Sequence, residues 1–261
     1  MPTTTRRFRI FVSSTFSDLK AERNALQEQV FPRLREYCQK NGSRFQAIDL
    51  RWGVSEEAAL DQQTMNICLE KLRRCQRTSP RPNFIVLLGQ RYGWCPLPPQ
   101  ITATEFEPIL DQITAADERA LLEHWYRRDD NAVPPECCLQ PRPVEVGENQ
   151  SEPEQEAARE AEARGWGKTE RRLRAILLAG VNGLAWPLTD VRRFKYEASA
   201  TLQEILHGAL RVTDNVDHVF GFFRTVAGLP PDTRACDHLD LDPQVQQDAK
   251  ARERLDRLRQ L

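Results

Sequence analysis

The sequence has no apolar run near the roughly 20 residues that a membrane-crossing helix needs, and its opening Met1-Pro2-Thr3-Thr4-Thr5-Arg6-Arg7 lacks the apolar stretch of a signal peptide. A cytoplasmic chain with no membrane partner is expected. It has no excess of one charge either: 37 Lys and Arg face 38 Asp and Glu, so no global field gathers nucleic acid or anionic lipid. A nucleic-acid partner would need a local patch. Its seven cysteines include no C-x-x-C pair, and an odd number scattered over 261 residues suits neither a disulfide framework nor a zinc site. Cys68 and Cys75, seven apart, read as small buried hydrophobes of one helix. No Gly-x-x-x-x-Gly-Lys-Ser/Thr segment occurs, so the chain carries no P-loop, and its four histidines show no triad spacing. No bound cofactor is expected.

What is present is an ordinary globular composition, 40% hydrophobic and 29% charged, long enough for one core with a sizeable insertion. Arg7 to Ser13 alternates as a first strand. Thr15 with Asp18 three residues on signals a helix cap, and Leu19, Leu26, Val30 and Leu34 recur at helical spacing, with Pro32 as a bend and Gly42 as the stop. Phe45 to Asp49 reads as a second strand. Met65, Cys68, Leu69, Leu72 and Cys75 then form one helical stripe, and Phe84-Ile85-Val86-Leu87-Leu88 reads as a parallel strand covered on both faces. Strand and helix in alternation imply a doubly wound α/β unit.

The alternation breaks over residues 96–195, with Pro96-Leu97-Pro98-Pro99, a helix near Ala116 to Tyr126, Pro134-Pro135, and an acidic stretch from Glu145 to Glu162 that suits a solvated helix or linker. It resumes with a helix from Ser199 to Leu210 and a strand-like His218 to Phe223. The expected division is a discontinuous core of residues 1–95 and 196–225, a mostly helical insertion at 96–195, and a helical linker at 226–261.

Three segments stand in order along the core: Phe11-Val12-Ser13-Ser14-Thr15-Phe16-Ser17-Asp18-Leu19 with Glu22-Arg23; Asp49-Leu50-Arg51-Trp52-Gly53-Val54; and Gly89-Gln90-Arg91-Tyr92-Gly93. Together they resemble the TIR-like N-terminal domain that precedes NACHT ATPase and WD-repeat segments in STAND-type signalling proteins. The resemblance implies a TIR or flavodoxin-like fold: a mainly parallel sheet with helices on both faces. It also implies a NACHT-type module farther along the chain, and an effector or interaction role in signalling or defence, exercised by self-association of the full-length protein.

Some TIR domains cleave NAD with a glutamate on the helix after the third strand, which makes NAD a possible substrate and Glu204 the positional match. A carboxylate there could stabilise an oxocarbenium-like transition state. Against that, Leu202, Ile205, Leu206 and Ala209 are expected to form the helix's buried stripe, with Glu204 opposite and in solvent. Glu107 and Glu105 are reserves. Ser13, Ser14 and Thr15 lie where a strand meets a helix N-terminus, suited to phosphate or to capping. Asp49, Arg51 and Trp52 follow the second strand, and Arg91 and Tyr92 the third, at the carboxyl edge where α/β sheets bind nucleotides. Trp52 suits base stacking, a protein contact, or a plug at the edge of the core. The open alternatives are an interaction module, a nucleotide glycohydrolase, and a nucleotide sensor without turnover.

Overall fold

The computed structural model describes residues 6–50, 62–142, 151–187, 190–212, 215–230, 232–242, 244 and 246–261. By contact they fall into two compact units, one of residues 6–50, 65–94 and 199–261, the other of residues 62–64 and 95–198.

The first unit is built on four strands: β1 (Arg7–Ser14), β2 (Arg44–Ile48), β3 (Phe84–Leu88) and, far along the chain, β7 (Val219–Phe223). They pair in the order β2-β1-β3-β7, all parallel. This is the flavodoxin-like order, in which the chain leaves β1 for one side of the sheet and later continues on the other. Side chains alternate across the sheet. Val12, Leu87 and the half-buried Ile85 pack with Leu19 and Phe31 of the helix after β1. On the opposite face Phe11 and Phe84 stack with ring centroids 5.9 Å apart, and Gly208 comes so close that a Cβ on it would lie 2.6 Å from the Phe84 ring. The α/β expectation holds, with helices on both faces.

The helix after β1 runs as α1 (Lys20–Ala25), a π-turn (Leu26–Val30) and α2 (Phe31–Lys40). Phe31 N donates to Leu26 O, five residues back. Pro32, in the first turn of α2, has no N–H to complete an ordinary turn, and the wider π-turn accommodates the missing donor. The extra residue rotates the face: Phe31 is fully buried, while Val30, expected in the core, is exposed. Thr15 is not the cap expected of it. The helix starts at Lys20 after Leu19 with no side-chain cap, and the Thr15 hydroxyl donates to Asp18 Oδ1 instead. Gly42 ends the helix at φ +67°, where only glycine is unstrained. α3 (Thr64–Thr78) buries Met65, Cys68, Leu72 and Cys75, the expected stripe apart from the half-buried Leu69.

The second unit carries β4 (Gln100–Thr102), α4 (Ala103–Asp111), α5 (Ala116–Trp125), β5 (Tyr126–Asp129), β6 (Glu136–Leu139), α6 (Glu152–Gly183) and α7 (Val191–Glu197). Ile101, Ile109, Leu122, Leu173, Leu177 and Val181 fill its core. The insertion is mostly helical as expected, and it also holds an antiparallel sheet in the order β4-β6-β5, which was not expected. From Glu152 the acidic stretch is helix, its first turns exposed, started by a Ser151–Glu154 capping box. Residues 145–150 lie outside the described residues.

The first unit is completed by α8 (Ala200–Ile205), a second π-turn (Leu206–Leu210), the short α9 (Asn215–His218) and α10 (Ala249–Leu258). The Ser199 hydroxyl caps α8 by accepting from Leu202 N at 3.2 Å.

Candidate functional site

Ligands of open α/β sheets bind at the carboxyl ends of the strands where the strand order reverses, here between β1 and β3. β1 ends there in two buried serines, Ser13 and Ser14, and the pleat sends them to opposite faces. Ser13 shares its face with Phe11 and meets α8, where its Oγ donates to Glu204 Oε2 at 2.5 Å. The Cys68 thiol of α3 adds a hydrogen bond to the same carboxylate. Glu204 is therefore buried, contrary to the expectation that it faces solvent. The buried face of this helix is Thr201, Glu204, Ile205, Gly208 and Ala209, while Leu202 and Leu206 are only half-buried.

Burial pushes the Glu204 carboxyl up to about 7, although the Ser13 hydroxyl, Arg23 and the Cys68 thiol each favour its charged form. The same burial, with the Glu204 charge beside it, pushes the Cys68 thiol far up, so it is no thiolate nucleophile.

Ser14 faces the other way, toward Arg23 of α1. The guanidinium is 1% exposed. Its Nη1 donates to Ser14 Oγ at 2.7 Å and Ser14 O at 3.2 Å, its Nε donates to Asp49 Oδ2 at 3.1 Å, and its Nη2 donates to Asp49 Oδ1. This is a bidentate fork, with the Phe16 ring 4.8 Å from the guanidinium carbon. Asp49, expected at a nucleotide, is thus committed to Arg23. Charge couples the two clusters, since both Arg23 and Asp49 act on Glu204.

At the end of β3, Arg91, Tyr92 and Gly93 converge on one carboxylate. Arg91 Nε donates to Asp240 Oδ1 at 3.0 Å, and Tyr92 N and Gly93 N donate to Asp240 Oδ2 at 2.6 and 3.1 Å. Arg91 Nη1 also donates to Ser17 Oγ. The Tyr92 hydroxyl accepts from Ser199 N at 3.2 Å. Gly93, at φ +88°, lets this loop press on Thr15, whose methyl would lie 2.6 Å from a Cβ there. Asp18 is buried nearby with its carboxyl pushed up by burial, and its Oδ2 has no hydrogen-bond partner among the described residues. Phe16 and Trp94 remain about half exposed. Arg51 and Trp52 lie outside the described residues.

Glu105 and Glu107 belong to the second unit. Glu105 is buried and accepts from Lys195 Nζ and Tyr196 Oη, each at 2.8 Å, while Glu107 pairs with Arg128 at the surface. Each has its partners within that unit. In the first unit Ser13 meets Glu204 and Ser14 meets Asp49 through Arg23, two buried clusters coupled by charge, while the two reserves belong to the second unit.

Sequence reasoning missed the residues that tie these clusters together. Arg23 had a signal: it lies four after Leu19 and three before Leu26, on the apolar side of its helix. Cys68 was seen only as packing, and Asp240 had no signal. Among the described residues, no three His, Cys, Asp or Glu side chains gather to hold a metal, and no helix is long and apolar enough to cross a membrane.

Residues 9–128 match the model of a domain of unknown function, DUF4062. The chain is 32% identical over 278 aligned residues to NACHT and WD repeat domain-containing protein 2 of Mus musculus, a match that covers 97% of this chain and 15% of that protein. Over 52% of this chain and 8% of the relative it is 45% identical to the Homo sapiens protein of that name. Over 47% of this chain and 8% of the relative it is 42% identical to NACHT domain- and WD repeat-containing protein 1 of Mus musculus. The chain thus spans a small fraction of the length of these relatives. No solved structure matches significantly. The resemblance to a domain of NACHT and WD-repeat proteins is therefore met, with residues 9–128 similar to the DUF4062 domain.

Proposed function

We propose that this chain is an interaction module of a NACHT and WD-repeat signalling protein, acting by self-association. The observation that carries the reading is the open edge of the parallel sheet. β7 is paired on one side only among the described residues, and Phe220, Phe222 and Phe223 are 52%, 57% and 64% exposed. Phe220 and Phe222 lie on one face of the strand and Phe223 on the other. Because a phenylalanine offers roughly 150–250 Å² to burial, the first two leave on the order of 200 Å² of aromatic surface together beside the open edge. An unpaired strand edge adds a row of free N–H and C=O groups.

The polar network supports this role rather than ligand chemistry: Glu204 is committed to Ser13 and Cys68, and Asp49 to Arg23. Light scattering across a concentration series tests the reading. Wild type should associate, and Phe222→Ser should associate less. A wild type that stays monomeric at every concentration reached overturns it.

A second reading, cleavage of NAD upon assembly, has its own support in a carboxyl at the switch point whose titration falls near neutrality. Assembly would have to uncover Glu204. Free nicotinamide is then released by associated wild type, and Glu204→Gln lowers the rate on the order of a hundredfold or more. No release from associated protein, or equal release by the variant, rejects it.

A further inference from the structure

The end of β3 is built like an anion site that is already filled. Two consecutive backbone N–H groups, of Tyr92 and Gly93, converge on one oxygen and the Arg91 guanidinium on the other oxygen of the same group, a donor set that suits an oxyanion. The accepting group comes from the chain itself, from Asp240, about 150 residues downstream.

Three observations bear on whether Asp240 is a permanent fixture. The contact is open to water, with the Arg91 and Asp240 side chains 28% and 16% exposed. The surrounding closure is polar and incomplete. Arg224 donates to Asp18 O and Glu22 Oε1, and Arg259 donates to Gly89 O, yet Asp18 Oδ2, Glu22 Oε2, Arg224 Nε and Arg259 Nε are buried without hydrogen-bond partners among the described residues. Buried polar atoms without partners cost free energy, so the polar surroundings of this contact are not fully satisfied. The local charge is also lopsided. Arg91, Arg224 and Arg259 meet here, with Arg254 over the Tyr92 ring, against Asp18, Glu22 and Asp240. Burial favours the neutral form of Asp18. An anion carrying more than one charge would complement this crevice better than one carboxylate does.

We propose that Arg91 and the amides of Tyr92 and Gly93 form a phosphate-binding site at the β1–β3 switch point, and that Asp240 is its internal occupant, competing with a phosphate-bearing ligand. Binding and release of the segment around Asp240 are then coupled, because both use the same donors. The inference does not depend on self-association or on Glu204.

Calorimetric titration with inorganic phosphate and, separately, with ADP tests it. Asp240→Ala should bind phosphate tighter than wild type by on the order of tenfold, the effect of a charge-assisted hydrogen-bond set made available. Adding Arg91→Ala should remove the gain. ADP binding tighter than phosphate assigns the site to a nucleotide, and equal binding assigns it to the free anion. A folded Asp240→Ala protein with no gain overturns the proposal. Should that variant not fold, hydrogen exchange on wild type decides: phosphate should speed exchange across residues 232–248, and an unchanged pattern at saturating salt-matched phosphate overturns the proposal.

Discussion

Ser13, Ser14, Arg23, Asp49 and Glu204 are polar and buried, whereas Phe220, Phe222 and Phe223 are apolar and exposed, and both groups belong to the unit built on the four-stranded sheet. The first region offsets desolvation by pairing. Arg23 alone satisfies Ser14 and both oxygens of Asp49. The second has no such compensation within the described residues, so its cost is met in water until something covers it. The contrast teaches that burial of charge marks what the fold holds fixed, and exposure of aromatic surface marks what it leaves for others.

The strongest way to break the contrast is Arg23→Ala. It leaves Asp49 buried without its cation, and unfolding in urea should show a loss of about 3–5 kcal/mol. A loss below about 1 kcal/mol would mean that water reaches the network.

Next comes Glu204, which sharpens the comparison through pH. Its carboxyl is at about 7 in the folded chain, above the ordinary 4.5. A raised carboxyl favours the protonated folded state, so its stabilisation is complete below pH 4.5 and disappears as pH rises through 7. Between pH 5 and 8 wild type should lose about 2.5 kcal/mol relative to Glu204→Gln, which does not titrate. Parallel pH curves for the two proteins would contradict the burial of this side chain.

A smaller effect is expected on β3, which pairs with β1 on one side and β7 on the other. Gly208→Ala places a Cβ about 2.6 Å from the Phe84 ring, and the overpacking should cost about 1–3 kcal/mol in thermal or urea unfolding. Tolerance of alanine would show that the π-turn can move away. The smallest effect belongs to the exposed side: Phe222→Ser should change stability by no more than about 0.5 kcal/mol while weakening association. A large destabilisation would place that ring in the core.

The strands were legible because each carries its signal in apolar side chains. Phe84 to Leu88 is read to the residue, and the parallel sheet follows from helices and an insertion between apolar runs. The face of α8 was illegible for the opposite reason. Its closest approach to the sheet is made by Gly208, which has no side chain to signal burial, so a stripe drawn through Leu202 and Leu206 put Glu204 on the wrong side. The first π-turn hid Val30 and Phe31 in the same way, since a 3.6-residue period cannot register an inserted residue. β5 and β6 escaped notice because they are four residues long and β5 reads Tyr-Arg-Arg-Asp, with none of the apolar alternation of a strand. Ser13, Ser14, Asp49 and Glu204 draw notice in the sequence by their places at strand ends and after β3, but their partners Arg23 and Cys68 do not, because pairing depends on which residues the sheet brings together across long stretches of chain.

β7 aligns with β3 across about 135 residues of chain, Phe84 beside Val219 and Leu88 beside Phe223. A ribosome adding roughly 5–20 residues per second takes on the order of ten seconds to cover that distance. For that interval the nascent chain can hold β1, β2 and β3 together while the flank of β3 that β7 will occupy stands empty, a window in which chaperone binding or pairing with a neighbouring nascent chain competes with completion of the sheet.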